Sequence, residues 1–524
     1  MPFTQTPSYF QPAPRVEETL SVDLCVYGAT SGGIIAAVEA AERGLSVALL
    51  HPGLHVGGLT TGGLGMTDIG NKDAVGGKAR EFYERVGRRY GVGIEWRFEP
   101  HVAANVFNEW LQNAGVRPRL GQYVDVCATR DGRIVSLTTL SGLTVAAEMF
   151  IDASYEGDLM ARAGVSHAVG REGNTTYGET LNGALIMALE GSPIDEGHQF
   201  EHALDPYVVA GDPSSGLLPG IQPEGSYRRG AGDACLQAYN FRMCLTQHED
   251  IRVPFPKPEG YDASLYVLLK RNLATGWDEA FRKFDAVRNG KTDTNNHGPF
   301  STDNIGRNHA YPQAGYEERE RIFQEHVRYQ QGLMWCLAND PEVPARIREP
   351  MSKWGLCRDE FVSIGGWPHA LYIREARRMV ADVVMTEHHC RGVETVDDPV
   401  ALGAYNMDSH HCRRVIHQGR LWNEGDVQVR VPRPYGISYR SIVPRAGECS
   451  NLIVPFCLSA SHVAFGSIRM EPVFMGIGQA AAIAALLAIR GGTSVQDVPY
   501  AELRRELDAV SLVAEWPEVA ETIH

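Results

Sequence analysis

Between residues 22 and 50 the chain reads as a short β-rich run, Val22-Asp23-Leu24-Cys25-Val26-Tyr27, then a glycine-rich turn, a helical run over residues 34–43, Gly44, and a second apolar run, Ser46-Val47-Ala48-Leu49-Leu50. Strand, turn, helix and strand within about 30 residues make a βαβ unit. Its crossover is right-handed in nearly all folds, so the two strands are parallel neighbours and the first turn falls at the C-terminal edge of a sheet, where α/β folds bind ligands. The turn, Gly28-Ala29-Thr30-Ser31-Gly32-Gly33, fits Gly-x-Gly-x-x-Gly with Thr30 in place of the second glycine. Gly28 permits the tight turn, Gly33 permits close packing of helix on sheet, and the helix N-terminus offers N–H groups to a pyrophosphate. Thr30 brings a Cβ to the point of closest approach, and its hydroxyl can donate to phosphate. The second strand of such a unit usually ends in an acidic residue that binds ribose. Here the position is His51, which can still hydrogen-bond a hydroxyl.

The rest of the chain extends this unit. Residues 74–90 and 100–114 read as amphipathic helices, the second opened by Pro100. Residues 116–147 hold three β-rich runs separated by Asp131-Gly132 and Ser141-Gly142, a meander, and Met149-Phe150-Ile151-Asp152 reads as a separate central parallel strand. Periodicity weakens between residues 171 and 350, residues 317–333 excepted. Residues 372–388 read as a charged helix, 427–443 as β with prolines, and 474–490 as a long small-residue helix. The fold class is α/β: a Rossmann-like nucleotide-binding domain of parallel sheet and β-meander, with an inserted α+β substrate domain. The domain expectation is 20–168 for the first part of the nucleotide-binding domain and 169–360 for the first part of the substrate domain. A helical return spans 361–395, the second substrate part 396–440, the C-terminal part of the nucleotide-binding domain 441–495, and a tail 496–524.

Composition narrows the partners. With 524 residues and a formal charge of −15, the chain is long enough for about three domains and carries no basic footprint for nucleic acid or an anionic membrane surface. Ten cysteines occur without a Cys-x-x-Cys pair, the pattern of a reducing compartment. The first twenty residues lack a secretory signal pattern, and apolar stretches are interrupted well short of ~18 residues. The expectation is a cytoplasmic protein with no membrane or nucleic-acid partner; a homo-oligomer is allowed.

A second glycine-rich segment, His55-Val56-Gly57-Gly58-Leu59-Thr60-Thr61-Gly62-Gly63-Leu64-Gly65, follows the second strand and implies a backbone running against a flat or bulky ligand. With these motifs in place the sequence resembles the FAD-dependent oxidoreductases of the glutathione-reductase structural type, in particular the broad bacterial FAD-dependent oxidoreductase family. Gly57-Gly58 is similar to that family's glycine doublet, and residues 150–158 to its Ile-Asp-Ala-Thr-Gly-x-Gly-Asp strand and loop, with Ser154 and Tyr155 departing from it. Tyr372-Ile373-Arg374-Glu375-Ala376-Arg377-Arg378 is similar to its Arg-Glu-x-Arg-Arg helix, and residues 461–481 to its flavin-facing helix.

The resemblance implies FAD as cofactor. It sets Gly28, Thr30, Gly33, Gly57 and Gly58 against phosphates and ribityl, His51 near the adenosine ribose, Asp158 near ribityl or pyrophosphate, and the Val124 backbone against adenine. Arg469, Met470 and Glu471 would aim a helix N-terminus at the flavin pyrimidine, where reduction places negative charge. Gly476-Ile477-Gly478-Gln479-Ala480-Ala481 matches Gly-x-Gly-x-x-Ala but lies in a helical pattern, so it is not read as a second dinucleotide site. The expected electron acceptor is therefore oxygen, a quinone or a carrier protein.

Flavin reduction by an alcohol or amine needs a base for the O–H or N–H proton. His462, just before the flavin-facing helix, leads, followed by His410 and His411 in Asp408-Ser409-His410-His411-Cys412, of which an extended chain turns only one toward the flavin. Neither this cluster nor His388-His389-Cys390 has a second ligand pair, so no metal is expected. Arg242 and Arg440 are candidates for a substrate carboxylate, and Asn296, in a loop dense in hydroxyl and amide groups, for a polyhydroxylated ligand. The expected function is an FAD-dependent dehydrogenase or oxidase acting on a small polar alcohol, sugar-like compound or amine. The alternatives are an NAD(P)H-dependent flavin monooxygenase and a non-catalytic nucleotide-binding or electron-transfer partner.

Overall fold

The computed structural model describes residues 7–191 and 198–517. Thr19–Tyr27 forms strand β1, Ser31–Glu42 helix α1, Val47–Leu50 β2, Pro118–Arg119 β3, Val124–Arg130 β4, Arg133–Thr139 β5 and Thr144–Asp152 β6. They join one sheet in the order β3-β2-β1-β6-β5-β4, and the short strand Leu452–Ile453 adds to β6. β1 runs parallel to β2 and β6, so Tyr27, Leu50 and Asp152 end side by side at one edge. That edge is where the βαβ unit placed its ligand.

The third meander strand and the central strand expected at 149–152 are one element. The first half of β6 pairs antiparallel with β5, and the second half lies between β1 and Leu452–Ile453, both parallel. Asp131 and Gly132 both adopt left-handed φ, 50° and 69°, the mirror-image turn that suits the twist of a two-residue hairpin. The helices expected after β2 form at Gly77–Arg89 and Pro100–Asn113.

Helix α1 packs against the helix Glu471–Gly491 through glycines. A Cβ on Gly478 would sit 2.3 Å from the carbonyl oxygen of Gly32, and one on Gly32 would sit 2.3 Å from that of Phe474. The Gly-x-Gly-x-x-Ala run thus belongs to a helix–helix contact, as its helical pattern indicated. Glu471–Gly491 is also long and apolar enough to cross a bilayer, with a mean hydropathy of 1.9, contrary to the expectation that no run reaches that length. It is a core helix instead, with 94% of that window buried in the protein.

A second core gathers Tyr239, Phe241, Tyr311, Phe323 and Trp367 around the 24-residue helix Tyr316–Asn339. The largest departure from expectation lies between the cores. Residues 372–388 are not a helix: apart from bridges at Tyr372 and Met385, the two-residue strand Arg378–Met379 and one turn at Glu387–Cys390, the segment is irregular and extended. Its Arg-Glu-rich composition has high helix propensity, but every residue from Leu371 to Met379 is buried. Its charges meet partners far away in sequence: Arg377 bonds Asp158 at 2.8 Å and Arg378 bonds Glu172 at 2.6 Å. Tertiary ion pairs, each too distant for a sequence window, override the local preference.

Candidate functional site

At the C-terminal edge of β1, β2 and β6 lies a cavity of about 530 Å³. Gly28, Thr30, His51, Gly58, Ser154, Tyr155 and Glu156 line it, with Tyr9, Tyr311 and Phe323 on the far wall. This volume is in the range of cofactor pockets. Gly28 has φ 104°, and a Cβ there would lie 2.6 Å from the Ala153 carbonyl; a Cβ on Gly33 would lie 1.9 Å from the Gly28 oxygen. Both glycines are required for the turn to close and for α1 to seat on the sheet, and the free N–H groups of the α1 N-terminus then face the edge. A bare backbone cradle below a helix N-terminus fits the adenosine diphosphate portion of the expected FAD.

Thr30 departs from its assigned part. Its hydroxyl donates to the Ala153 carbonyl at 2.8 Å and accepts from the Gly33 N–H at 3.2 Å, so it caps α1 rather than reaching for phosphate. His51 Nδ1 accepts from the Ala29 N–H at 3.1 Å, which ties the end of β2 to the turn, and burial pushes its pKa down to about 4. Gly57 is in the left-handed region at φ 99°, and a Cβ on Gly58 would strike the Tyr155 hydroxyl at 2.3 Å. The other glycines of that segment abut protein: a Cβ on Gly62 would meet Ala370, one on Gly63 the Arg242 carbonyl, and one on Gly65 that of Phe98. Of these glycines Gly58 lines the cavity, while a Cβ on Gly57 would meet Thr61.

Two cofactor assignments are corrected. The Val124 carbonyl accepts the Tyr316 hydroxyl at 2.8 Å and its N–H faces the Tyr27 hydroxyl at 3.4 Å, so its backbone is spent inside the protein. Asp158 is buried between Arg319, at 2.6 and 2.9 Å, and Arg377, at 2.8 Å. Although burial acts the other way, these guanidinium groups hold its carboxyl well below the usual carboxylate range. Asp158 is an internal anchor between the two cores, and Glu156 is the acid on the cavity wall. Sequence reasoning also missed Tyr9: residues 8–10 are held by Glu320, which accepts from the Ser8 hydroxyl and the Tyr9 and Phe10 N–H groups.

The cavity ends at Tyr155. Its hydroxyl donates to Glu471 at 2.7 Å and accepts from the Leu59 N–H at 3.0 Å. The helix begins at Glu471 with Met470 as its N-cap, as expected, but what meets its positive end first is its own Glu471 carboxyl, which also accepts from Thr60 and whose pKa burial raises. Beyond Tyr155 lies a void of about 10 Å³ walled by Leu59, Phe456, Phe465, Phe474, Tyr372, Arg374 and Arg469.

A charged cluster surrounds that void. The guanidinium carbons of Arg374, Arg242 and Arg469 lie 4.6, 5.8 and 5.8 Å from the Tyr372 ring centroid. Arg469 donates to the Tyr372 hydroxyl at 2.9 Å and to Asp408 at 3.0 Å. Arg242 spends its Nε and Nη2 on Asp293, both at 2.7 Å, and so is not available for a substrate carboxylate. Arg374 pairs through Nη1 with Asp303 at 3.0 Å, while its Nε and Nη2 have no acceptor among the described residues. Leaving such donors unpaired in a buried site costs roughly 1–3 kcal/mol.

The three histidines separate clearly. His462 is enclosed: Nδ1 lies 2.9 Å from both Glu375 oxygens and Nε2 lies 2.9 Å from the Ser409 hydroxyl. His411 points elsewhere, its ring 6.2 Å from that of His198, and burial pushes its pKa down to about 4. His410 Nδ1 bonds Asp303 at 2.8 Å, with Nε2 turned toward the partly exposed Asp408 at 3.7 Å. Although burial works against it, Arg374 and His410 keep the Asp303 carboxyl well below its usual range.

The remaining substrate candidates fall away from this cluster. Arg440 is half exposed and paired with Asp397 and Asp398. Asn296 is buried in a loop packed into the protein, its N–H bonded to Asn295 Oδ1; from that loop only Asp303 reaches the cluster. Among the described residues one group, Glu99, His101 and Glu360, has the spacing of metal ligands, but the Lys291 ammonium bonds Glu99 and Glu360 at 2.8 and 2.7 Å and supplies the cation.

Comparison with known proteins follows the same lines. A family profile described as FAD dependent oxidoreductase matches residues 23–507. A search of curated proteins found no match. Among solved structures, THI4 of Thermovibrio ammonificans is 19% identical over 29% of this chain and 66% of its own, with a TM-score of 0.24. L-amino acid deaminase from Proteus vulgaris is 18% identical over 31% of this chain and 54% of its own, with a TM-score of 0.23. The 3-ketosteroid-delta4-(5alpha)-dehydrogenase of Rhodococcus jostii RHA1 is 16% identical over 26% of this chain and 48% of its own, with a TM-score of 0.20. This chain thus spans about half of that dehydrogenase.

Proposed function

Because this chain belongs to the FAD-dependent oxidoreductase family, we propose that it is a dehydrogenase or oxidase of a small polar alcohol, sugar-like compound or amine, with His410 taking the proton. The observation that carries this is the His410–Asp303 pair at 2.8 Å, set beside the Tyr372–Arg374–Arg469 cluster at the start of the helix Glu471–Gly491. When bound, FAD supplies a two-electron acceptor whose N5 takes the hydride. Asp303 accepts the Nδ1 hydrogen of His410, which leaves Nε2, 3.7 Å from Asp408, to take up a proton. Asp408, held by Arg469, keeps a second carboxylate near that nitrogen and stabilises the imidazolium after proton uptake. His462, with both nitrogens occupied, holds Glu375 and Ser409 in place and is a positioning residue. Tyr155 and Glu471 close the cavity on the side that faces this cluster. Electrons leave to oxygen, a quinone or a carrier protein, in the cytoplasm.

The test is anaerobic mixing of FAD-loaded protein with alcohols, sugars and amines while the flavin absorbance is followed. One class should bleach it. His410→Gln should retain flavin and slow that bleaching by about 10²–10⁴-fold, the usual contribution of a positioned base. Bleaching at the wild-type rate in this variant removes His410 from the proposal, and a flavin that no class bleaches removes the substrate class.

A further inference from the structure

We propose that Arg374 is the binding group for a carboxylate on the substrate, so that the alcohol or amine oxidised here is a small organic acid; this rests on the substrate-side reading of the cluster given above. Arg374 is 1% exposed, yet its Nε and Nη2 donors have no acceptor among the described residues. These two nitrogens share one edge of the guanidinium plane, the edge that grips a carboxylate with two parallel hydrogen bonds. The opposite edge is anchored, since Nη1 donates to the Ala238 carbonyl and pairs with Asp303 at 3.0 Å. The free fork is therefore held in one orientation, with its burial pulling the guanidinium below its ordinary pKa, the environment in which a bound anion is most favoured.

Neighbouring arginines make the contrast. Arg242 presents the same edge to Asp293 and is satisfied, and Arg378 places its Nη1 on Glu172 and its Nη2 on the Gly170 carbonyl. Arg374 alone of the three arginines around Tyr372 has the whole fork unpaired, and it borders the void beyond Tyr155. Arg469 adds one more unpaired donor, Nε, on the same wall. The void of about 10 Å³ holds roughly one water, so seating a carboxylate there requires its lining to move apart. Asp303 then links both halves of the site: one oxygen faces Arg374 and the other bonds His410, so substrate anchoring and proton acceptance share one buried carboxylate.

The experiment uses the FAD-loaded protein titrated with acetate, propionate and benzoate and, separately, with their neutral amides. Flavin absorbance and the heat of binding are both recorded. The expected result is saturable perturbation by the acids, little response to the amides, affinity lowered about 10- to 100-fold in Arg374→Met, and partial recovery in Arg374→Lys. Acids and amides acting alike on the wild type, no response to the acids by either readout, or acids acting equally on Arg374→Met would overturn the assignment. Arg374→Met that loses FAD, with the wild type indifferent to acids, would give the fork to the flavin itself. A wild-type protein that takes up no FAD fails at the earlier step and overturns the flavin site along with this inference.

Discussion

At the C-terminal edge of β1 and β6 the cavity is walled by backbone and small side chains, with no room for a Cβ at Gly28, Gly33 or Gly58. Past Tyr155 the protein is packed with Arg242, Arg374, Arg469, Asp303 and Asp408, and the space left is about 10 Å³. The first region gets its shape from glycine conformation and from uncharged contacts both near in sequence, such as Thr30 to Gly33, and far, such as Thr30 to Ala153 and Leu59 to Tyr155. The second gets its shape from ion pairs such as Arg242 with Asp293, 51 residues apart, and His410 with Asp303, 107 apart. One is a cradle for a cofactor common to a whole family. The other is a buried charge network that we propose binds the substrate.

Asp158 tests this division most severely, because it joins the cradle to the second core. Asp158→Ala leaves Arg319 and Arg377 buried without their shared carboxylate and should destabilise the protein by about 3–5 kcal/mol. Denaturant unfolding measures it, and an unchanged midpoint would mean that the two regions stand independently. Gly33→Val probes the cradle alone. With a Cβ 1.9 Å from the Gly28 oxygen, the turn must open, at about 1–3 kcal/mol, and FAD should be lost on gel filtration. Retention of FAD with normal stability would show that the turn tolerates a side chain.

Acid provides the smallest perturbation. His51 has an ordinary value of 6.5 and a folded value of about 4, because burial disfavours its charged form. A group with a depressed folded pKa lends stability above its unfolded pKa and loses it as pH falls toward the folded one. Stability should therefore decline between pH 6.5 and about 4, and protonation of Nδ1 should also break its bond from the Ala29 N–H. His326 and His411, also pushed down to about 4 by burial, add to the slope. Melting temperatures of wild type and His51→Asn across this range should show a shallower decline in the variant; parallel declines would detach His51 from the cradle's stability.

Legibility followed the range of the interactions. The Gly28 turn, the doublet at Gly57 and Gly58, the meander with its Asp131-Gly132 turn and the helix Glu471–Gly491 were readable because each rests on local geometry or on an unbroken pattern. Residues 372–388 depart from the expected helix because Arg and Glu at close spacing look the same on a solvated helix as in a buried, ion-paired segment. Asp303 lies in the same polar loop as Asn296, and nothing nearby in sequence marks it as the partner of His410 and Arg374. His462 attracted attention for its position before the helix, but only tertiary packing shows both of its nitrogens occupied.

The amino-acid sequence by itself determined the βαβ cradle, because steric rules for glycine, helix N-termini and parallel strands act over a few residues and leave a written pattern, and its resemblance to a known family implied FAD. The tertiary structure decided which charges face one another: that Asp158 ties two cores together, that Arg242 is satisfied and Arg374 is not, and that both His462 nitrogens are hydrogen-bonded while His410 Nε2 faces Asp408 at 3.7 Å. Buried ion pairs depend on distance in space and on exclusion of water, and neither is encoded in the spacing of residues along a chain.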